Sequence, residues 1–193
     1  MVELNKDVWN ERYLNADIGW DIGRISTPLK EYFDQLENKD LKILIPGCGN
    51  AYEAEYLFQQ GFKNVFLIDW AQQAIDDFHN RIPEFPKEQL ICADFFEHDS
   101  QYDLIIEQTF FCAINPKLRE NYVLKVKSLL KDRGKLVGLL FNDKLYSNRP
   151  PFGGSRNEYK SLFEKHFKNL YLEKAYNSIA PRKGRELFIS AND

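Results

Sequence analysis

The chain has 193 residues, of which 44% are hydrophobic and 28% charged, and its formal net charge is −3. This length indicates a single domain over residues 1–193 with a proper core, and a weak negative charge without a long basic run does not suggest nucleic-acid binding. Three cysteines without metal-type spacing argue against a disulfide framework or zinc site and for a reducing compartment. No stretch approaches the length of a membrane span, and the N-terminus lacks an apolar signal region, so a cytoplasmic protein is expected.

The N-terminal part of the chain predicts two helices joined by an irregular segment. Apolar residues recur at helical spacing over residues 2–14. The segment that follows is rich in Gly, Asn and Asp and should be irregular. A second helix should start at Ser26-Thr27-Pro28, because a capping hydroxyl precedes a proline in the first turn, and it should run to about Leu36.

Strands and helices alternate from residue 41 onward. The sequence predicts strands at residues 42–45, 64–68, 89–92, 102–107, 135–141, 170–176 and 186–190. It predicts helices at residues 51–60, 71–80, 117–130 and 156–166. Arg133-Gly134 should form a turn before the fifth strand, and residues 182–185 a solvated turn before the last one. This order implies an α/β fold with a mainly parallel sheet and helices on both faces, while the last two strands should pair as an antiparallel hairpin at one edge. Seven strands in this arrangement resemble the Rossmann-like fold of class I methyltransferases.

The first strand leads into a glycine turn. Residues 45–52 read IPGCGNAY, and glycine at such a turn lets the backbone come close to a ligand. A dinucleotide fingerprint needs a small residue at position 52, where a pyrophosphate would meet the helix, and Tyr52 is too large for that role. The turn instead suits a ligand without phosphates, such as S-adenosylmethionine, over Gly47, with Asp69 on the ribose diol. The alternative is a tight structural turn in an ordinary α/β protein.

A second acid follows the third predicted strand. Asp94 can accept the adenine amine and Phe95 can cover the ring, because ligands bind beyond the carboxyl ends of such strands. The alternative is a loop-capping aspartate next to a core phenylalanine. After the fourth strand, Glu107 and Gln108 should face the same site, whereas Phe111 is either a pocket or a core residue.

Further motifs extend over nearly the whole chain. They are Trp9-x3-Tyr13, Gly19-Trp20-Asp21-Ile22-Gly23-Arg24, Pro46-Gly47-Cys48-Gly49, Asp94-Phe95-Phe96, Thr109-Phe110-Phe111-Cys112-Ala113-Ile114 and Pro150-Pro151-Phe152. With these motifs the chain resembles the thiopurine S-methyltransferase family, and most closely its thiol and halide branch, the "harmless to ozone layer" proteins. The run over residues 110–114 favours that branch.

The resemblance implies S-adenosylmethionine as the cofactor. The residues that it places at the cofactor are Trp9, Tyr13, Trp20, Gly47, Gly49, Asp69, Trp70, Ala93, Asp94, Phe95 and Gln108. For Trp9 and Tyr13, which share one face of the N-terminal helix, composition alone would favour core packing. Family members carry arginine or tyrosine in place of Gln108, which weakens a thiopurine assignment because an anionic aromatic substrate would lose its guanidinium partner.

The resemblance also implies an aromatic-walled pocket for a small methyl acceptor. Its residues should be Arg24, Phe110, Phe111, Pro151 and Phe152. Arg24 would attract an anion, or would alternatively be an ordinary surface arginine. Methyl transfer from a sulfonium is an in-line displacement, so a thiol, hydrosulfide or halide that arrives ionised needs no strong base. No catalytic residue and no metal site is therefore assigned, and residues 1–37 should form a helical lid over the cofactor.

Several other functions compete with this one. The acceptor could be a thiopurine or a selenium or tellurium compound, while an oxygen- or nitrogen-directed methyltransferase would want a base or metal that the sequence does not offer. A methyltransferase-fold binding protein that has lost its chemistry would bind the cofactor without turnover, and the intact Asp69 and Asp94 argue against such decay. Tyr52 disfavours a dinucleotide oxidoreductase. The expected partner is a small-molecule substrate, with no membrane contact, and the expected state is a monomer or weak dimer.

Overall fold

A computed structural model describes residues 4–193 of the chain. The helix predicted over residues 2–14 therefore begins outside the described residues, and so does the start of the lid predicted over residues 1–37. The helices are α1 Lys6–Leu14, α2 Thr27–Phe33, α3 Tyr52–Gln59, α4 Gln72–Arg81, α5 Arg119–Leu129 and α6 Arg156–Phe163. The strands are β1 Lys42–Pro46, β2 Asn64–Asp69, β3 Leu90–Cys92, β4 Tyr102–Gln108, β5 Leu130–Phe141, β6 Asn169–Lys174 and β7 Glu186–Asn192.

All seven strands form one sheet with the order β3-β2-β1-β4-β5-β7-β6. β1 to β5 run parallel to one another, and β7 pairs antiparallel with both β5 and β6. The predicted mixed sheet with a closing antiparallel pair is confirmed. The chain runs outward from β1 to β3 and then returns to place β4 on the other side of β1. Such a reversal of strand order leaves a crevice at the carboxyl ends of β1 and β4, where open α/β sheets bind ligands.

The two faces of the sheet carry separate hydrophobic layers. Ile43 and Ile45 of β1 pack with α2, α3 and α4, whereas Leu44 between them packs with α5 and α6. All three side chains are at most 2% exposed. A strand covered on both faces must be apolar at every position, which explains why β1 reads as a continuous apolar run rather than an alternating one.

The fifth strand is longer than predicted. The Arg133-Gly134 pair, predicted as a turn before the strand, lies inside β5, where Arg133 adopts a positive φ of 66°. The pairing of β4 with β5 shifts register at this point, so the pair forms an irregularity within the strand. The turn chemistry was identified correctly, but backbone pairing continues on both sides of it. Across residues 4–193, no helix has the length and apolar character that crossing a bilayer requires.

Candidate functional site

A cavity of about 520 Å³ lies at the crevice beyond the carboxyl ends of β1, β2 and β4. This volume falls within the usual range of small-molecule sites, about 300–1,000 Å³. Its lining includes these residues predicted at the cofactor: Trp9, Tyr13, Trp20, Gly47, Asp69, Trp70, Ala93, Asp94 and Phe95. Distant parts of the sequence thus meet at the point of the sheet that the topology marks as a ligand site.

The glycine turn after β1 requires glycine at two positions. Gly47 and Gly49 have φ angles of +54° and +52°, in the left-handed region that other residues adopt only with strain. A Cβ atom on Gly47 would overlap the ring of Phe110, and one on Gly49 would lie 2.7 Å from the hydroxyl of Tyr13. The turn therefore provides room for two aromatic side chains that border the cavity.

Asp69 connects the end of β2 to that turn. Its carboxylate accepts hydrogen bonds from the backbone N–H groups of Gly49 (3.0 Å) and Ala71 (2.9 Å). The side chain is only 8% exposed, and its burial raises the pKa of the carboxyl, an effect that the backbone donors partly oppose. A fixed carboxylate at the cavity wall is a suitable acceptor for the hydroxyl groups of a ribose.

The acid after β3 caps its loop and also lies at the cavity. Asp94 Oδ1 accepts the backbone N–H of Phe96 at 2.8 Å, as a loop-capping aspartate does, and the residue also lines the cavity. Phe95 is 4% exposed and belongs to the core layer of α5, yet it borders the cavity as well. Ala93 donates its N–H to the backbone carbonyl of Asp69 at 3.0 Å, which joins this loop to the end of β2.

Three N-terminal aromatic residues cover the cavity. The Trp20 ring lies edge-to-face against both Trp9 and Tyr13, with centroid distances of 5.6 and 5.7 Å. α1 has no buried residue, so Trp9 and Tyr13 are not core residues. Although the Tyr13 side chain as a whole is half-buried, its hydroxyl lies against the glycine turn, and the loss of solvation there, with the nearby charge of Asp69, raises the pKa of the hydroxyl well above its ordinary value.

Arg12 is a cavity residue that the sequence analysis did not assign. Its guanidinium lies 4.4 Å from the centroid of the Trp20 ring and forms a 2.9 Å ion pair with Asp17. The helical spacing of Arg12 after Trp9 was the available signal, because residues three apart share a helix face. Arg24, the predicted cation, is exposed and lines only a smaller neighbouring chamber.

That smaller chamber, of about 50 Å³, shares Trp20, Gly47 and Thr109 with the main cavity. Gly49 and Gln108, both predicted at the cofactor, line this chamber rather than the main cavity. The Oε1 atom of Gln108 is buried and makes no hydrogen bond within the described part of the chain. A ligand or water that donates a hydrogen bond would satisfy it.

Arg182 is a second residue that the sequence analysis missed. It was interpreted as part of a solvated turn, and this is wrong, because the side chain is only 7% exposed. Its guanidinium donates to the carbonyl of Trp20 at 2.7 Å and to the Glu186 carboxylate at 3.3 Å, and it lines the smaller chamber. No local signal in the sequence could have revealed this ion pair, because Arg182 ends a short turn and Glu186 begins β7.

Two predicted pocket residues lie behind the wall instead of in it. Phe111 and Phe152 are each 1% exposed and line neither cavity. Consecutive side chains of the turn after β4 point in different directions, so Phe110 reaches the cavity while Phe111 packs edge-to-face on Tyr122. The neighbouring prolines 150 and 151 do line the cavity, as was predicted for Pro151.

The fold and the site define a class of protein. The chain superposes with a TM-score of 0.75 on the 1,6-didemethyltoxoflavin-N1-methyltransferase of Burkholderia thailandensis, solved with 1,6-didemethyltoxoflavin and S-adenosylhomocysteine bound. That alignment covers 97% of this chain and 87% of the other at 14% identity. The sheet order, the glycine turn and the acid after β2 are those of a class I methyltransferase dependent on S-adenosylmethionine.

The chain belongs to the thiopurine S-methyltransferase family, whose model matches residues 4–191. It is 27% identical over 192 residues to probable thiol methyltransferase 2 of Arabidopsis thaliana, covering 96% of this chain and 84% of the relative. It is 22% identical over 178 residues to the thiopurine S-methyltransferase of Photobacterium profundum, covering 83% of each. The predicted family, enzyme class and cofactor, S-adenosylmethionine, are confirmed.

The residues present fit this cofactor. The cavity contains an oriented carboxylate at Asp69, a second acid at Asp94 and apolar or aromatic surface between them. Gly47 also lines the cavity, in a left-handed turn where the Phe110 ring leaves no space for a Cβ atom. This combination suits a nucleoside with an extended, phosphate-free chain.

Proposed function

We propose that the protein methylates a small soft nucleophile, such as a thiol, hydrosulfide, a halide or thiocyanate. The observation that supports this proposal is a largely apolar stretch of the cavity wall. It is formed by Phe110, Cys112, Ala113, Ile114, Pro150 and Pro151. The side chains of this stretch offer little hydrogen bonding to a polyhydroxylated or highly polar acceptor, but they exclude water from a polarisable one.

The chemistry asks little of the protein beyond binding and alignment. Bound S-adenosylmethionine supplies a methyl group that its sulfonium already activates. The residues of the chain have to fix the direction of attack and exclude water, and they need not remove a proton from an acceptor that arrives ionised. Within the described residues, none of the three histidines lines either cavity, and the raised pKa of Tyr13 keeps that hydroxyl protonated near neutral pH.

A thiopurine acceptor is the second candidate, and one relative carries that activity in its name. One feature favours a different acceptor. Gln108 supplies no positive charge for an anionic purine. Selenium or tellurium compounds share the soft character of thiols and remain within the proposed class of acceptor.

An acceptor panel tests the proposal. The purified protein is incubated with S-adenosylmethionine and, separately, iodide, thiocyanate, hydrosulfide, methanethiol, selenite and 6-mercaptopurine. Volatile methylated products are measured in the headspace and S-adenosylhomocysteine in solution, with the Asp69→Ala protein as the control for non-enzymatic transfer. We expect turnover with at least one of the small soft nucleophiles, whereas turnover with 6-mercaptopurine alone, or with none of the panel, would contradict the proposal.

We further propose that the N-terminal segment closes over the cofactor as a lid. α1 has no buried residue. One hydrogen bond that ties it to α4 runs from the backbone N–H of Gln73 to the side-chain oxygen of Asn10, at 2.9 Å. Segments with few buried contacts open easily, and aromatic contacts to a bound ligand should hold this one closed.

Limited proteolysis measures the closure. Trypsin cleavage after Arg12 and Arg24 should slow by about fivefold or more with saturating S-adenosylhomocysteine, because cleavage of a mobile segment follows its open population. Cleavage after the exposed Lys87, which lines neither cavity, is the internal control and should not change. Equal cleavage after Arg12 and Arg24 with and without the ligand would rule out a lid.

A further inference from the structure

A fully buried carboxylate lies behind the cavity wall at the end of β4. Glu107 is 0% exposed, and it lines neither cavity, although the sequence suggested that it would face the site. Its Oε1 accepts the backbone N–H groups of Phe110 (2.8 Å) and Phe111 (2.9 Å), and its Oε2 accepts the hydroxyl of Tyr122 at 2.6 Å. The neighbouring strand leaves space for the side chain, because a Cβ atom on Gly138 of β5 would overlap Glu107.

The segment that this carboxylate holds forms part of the cofactor cavity. Thr109, at its start, has a φ of +63°, a strained conformation for a β-branched residue that its surroundings must maintain. Phe110, the next residue, occupies the space that a side chain on Gly47 would need and packs edge-to-face on Phe95 at 5.3 Å. The two backbone hydrogen bonds that Glu107 accepts therefore fix the place where the cavity wall meets the glycine turn.

We propose that Glu107 is a positioning residue for cofactor binding, which acts by holding residues 109–111 in the conformation that places Phe110 against Gly47. Three donors converge on its two oxygens, and they come from two separate elements, the turn after β4 and α5. A carboxylate accepts all three at once, and hydrogen bonds to an ionised acceptor are the stronger kind. The proposal concerns the cofactor alone and does not depend on which acceptor is methylated.

The protonation state of Glu107 should matter for this role. Burial raises the pKa of its carboxyl to about 7, and the three donors oppose that rise. The titratable groups that face it are Tyr122 of α5 and Cys112 of its own turn, while β5 presents only Gly138. A protonated carboxyl can no longer accept from Tyr122 through the oxygen that carries the proton. Below about pH 7 the bond from the buried Tyr122 hydroxyl is weakened or lost. The N–H groups of Phe110 and Phe111 then donate to a neutral acceptor instead of an ionised one, so the segment is held less firmly.

The Glu107→Gln protein imitates the protonated state at every pH, since an amide presents one acceptor oxygen and one N–H group. Affinity for S-adenosylhomocysteine is measured by calorimetry from pH 6 to pH 8, with the fold checked by circular dichroism and thermal melting. In the unaltered protein, affinity should fall as pH decreases, by at most about tenfold, the change in ionised fraction of a group with a pKa of about 7. The Glu107→Gln protein should bind about as weakly at pH 8 as the unaltered protein does at pH 6, with a flatter pH dependence.

Controls separate this role from a general loss of structure. The Glu84→Gln protein, altered at an exposed position that lines neither cavity, should match the unaltered protein throughout. Asp69, whose pKa burial also raises, is present in all these proteins, so its titration cancels in the comparison. A folded Glu107→Gln protein with unaltered affinity at pH 8, or with the same pH profile as the unaltered protein, would overturn the proposal.

A second variant covers the case in which Glu107→Gln does not fold. Tyr122→Phe keeps the carboxylate but removes the hydroxyl that donates to Oε2. The ionised form of Glu107 then has one donor fewer, so its pKa should rise, and the fall in affinity should begin at a higher pH than in the unaltered protein. A folded Tyr122→Phe protein with an unshifted pH profile would also overturn the proposal.

Discussion

The Asp69→Ala protein should bind S-adenosylhomocysteine about 100-fold more weakly than the unaltered protein, or not measurably. We expect two ribose hydroxyls to donate to this carboxylate, and hydrogen bonds to a charged group contribute about 1.5–3 kcal/mol each. Together they correspond to about 100-fold or more in affinity. The substitution also leaves the N–H groups of Gly49 and Ala71 without their acceptor, so the glycine turn itself should loosen.

Two further substitutions make this result interpretable. Asp69→Asn keeps one acceptor oxygen and should lose less affinity than Asp69→Ala. Asp99→Ala, at an exposed position that lines neither cavity, should leave binding unchanged. Calorimetric titration of all three proteins, with circular dichroism to confirm folding, gives the comparison. If folded Asp69→Ala bound the ligand as tightly as the unaltered protein, the cofactor would not lie at this cavity.

The Gly47→Ala protein should lose both stability and cofactor binding. An alanine at a φ of +54° is strained by about 1–3 kcal/mol, and its Cβ overlaps the Phe110 ring, an overpacking that typically costs a further ~1–3 kcal/mol. The sum of about 2–6 kcal/mol is a large part of the net stability of a domain. Denaturant unfolding measures the stability, and calorimetry measures the affinity for S-adenosylhomocysteine.

The chain contains a matched control for backbone strain. Gly61 has a φ of +85°, and a Cβ atom there would meet nothing within 4 Å. The Gly61→Ala protein should therefore lose only the stability that backbone strain costs, and it should keep its affinity for S-adenosylhomocysteine. Adding Phe110→Ala to Gly47→Ala removes the ring atoms that overlap most closely and leaves the Cβ atom of residue 110, at 2.9 Å. The double variant should therefore recover part of the stability, because mutations of residues in contact are not additive. No recovery in the double variant would show that Phe110 is not the side chain that requires glycine at position 47.

Periodicity and turn chemistry predicted most of the fold, because both are local properties. The continuous apolar run of β1, the glycine turn and the acid at the end of β2 are each recognisable as patterns within a few residues of sequence. The closing antiparallel strands followed from the lack of a helix between them, and the structure has them as β6 and β7. The proline at position 28 signalled where α2 begins, and Ser26 does occupy the N-cap position. The predicted capping by the Ser26 hydroxyl is wrong, because that side chain makes no capping hydrogen bond, and the predicted helix ends differ by a few residues.

Side-chain direction and long-range partners could not be predicted in the same way. Phe110 and Phe111 are adjacent and chemically identical, and only the packing of α5 and the glycine turn sends one to the cavity and the other to the core. Arg182 looks like a surface residue until the fold places the carbonyl of Trp20 beside it. Glu107 has an ordinary carboxylate whose role depends on Tyr122, 15 positions away. The oligomeric state and the cellular compartment stay predictions.

The aromatic cover of the cavity gives the protein a built-in optical reporter. The chain contains three tryptophans, Trp9, Trp20 and Trp70, and all three line the cavity. Its long-wavelength ultraviolet emission therefore originates entirely at the site, with no background from tryptophans elsewhere. The guanidinium of Arg12 and the ring of Trp9 already lie against Trp20, so any rearrangement of these groups changes the surroundings of an emitter. Unlabelled protein can thus report ligand arrival and departure in real time through its own fluorescence.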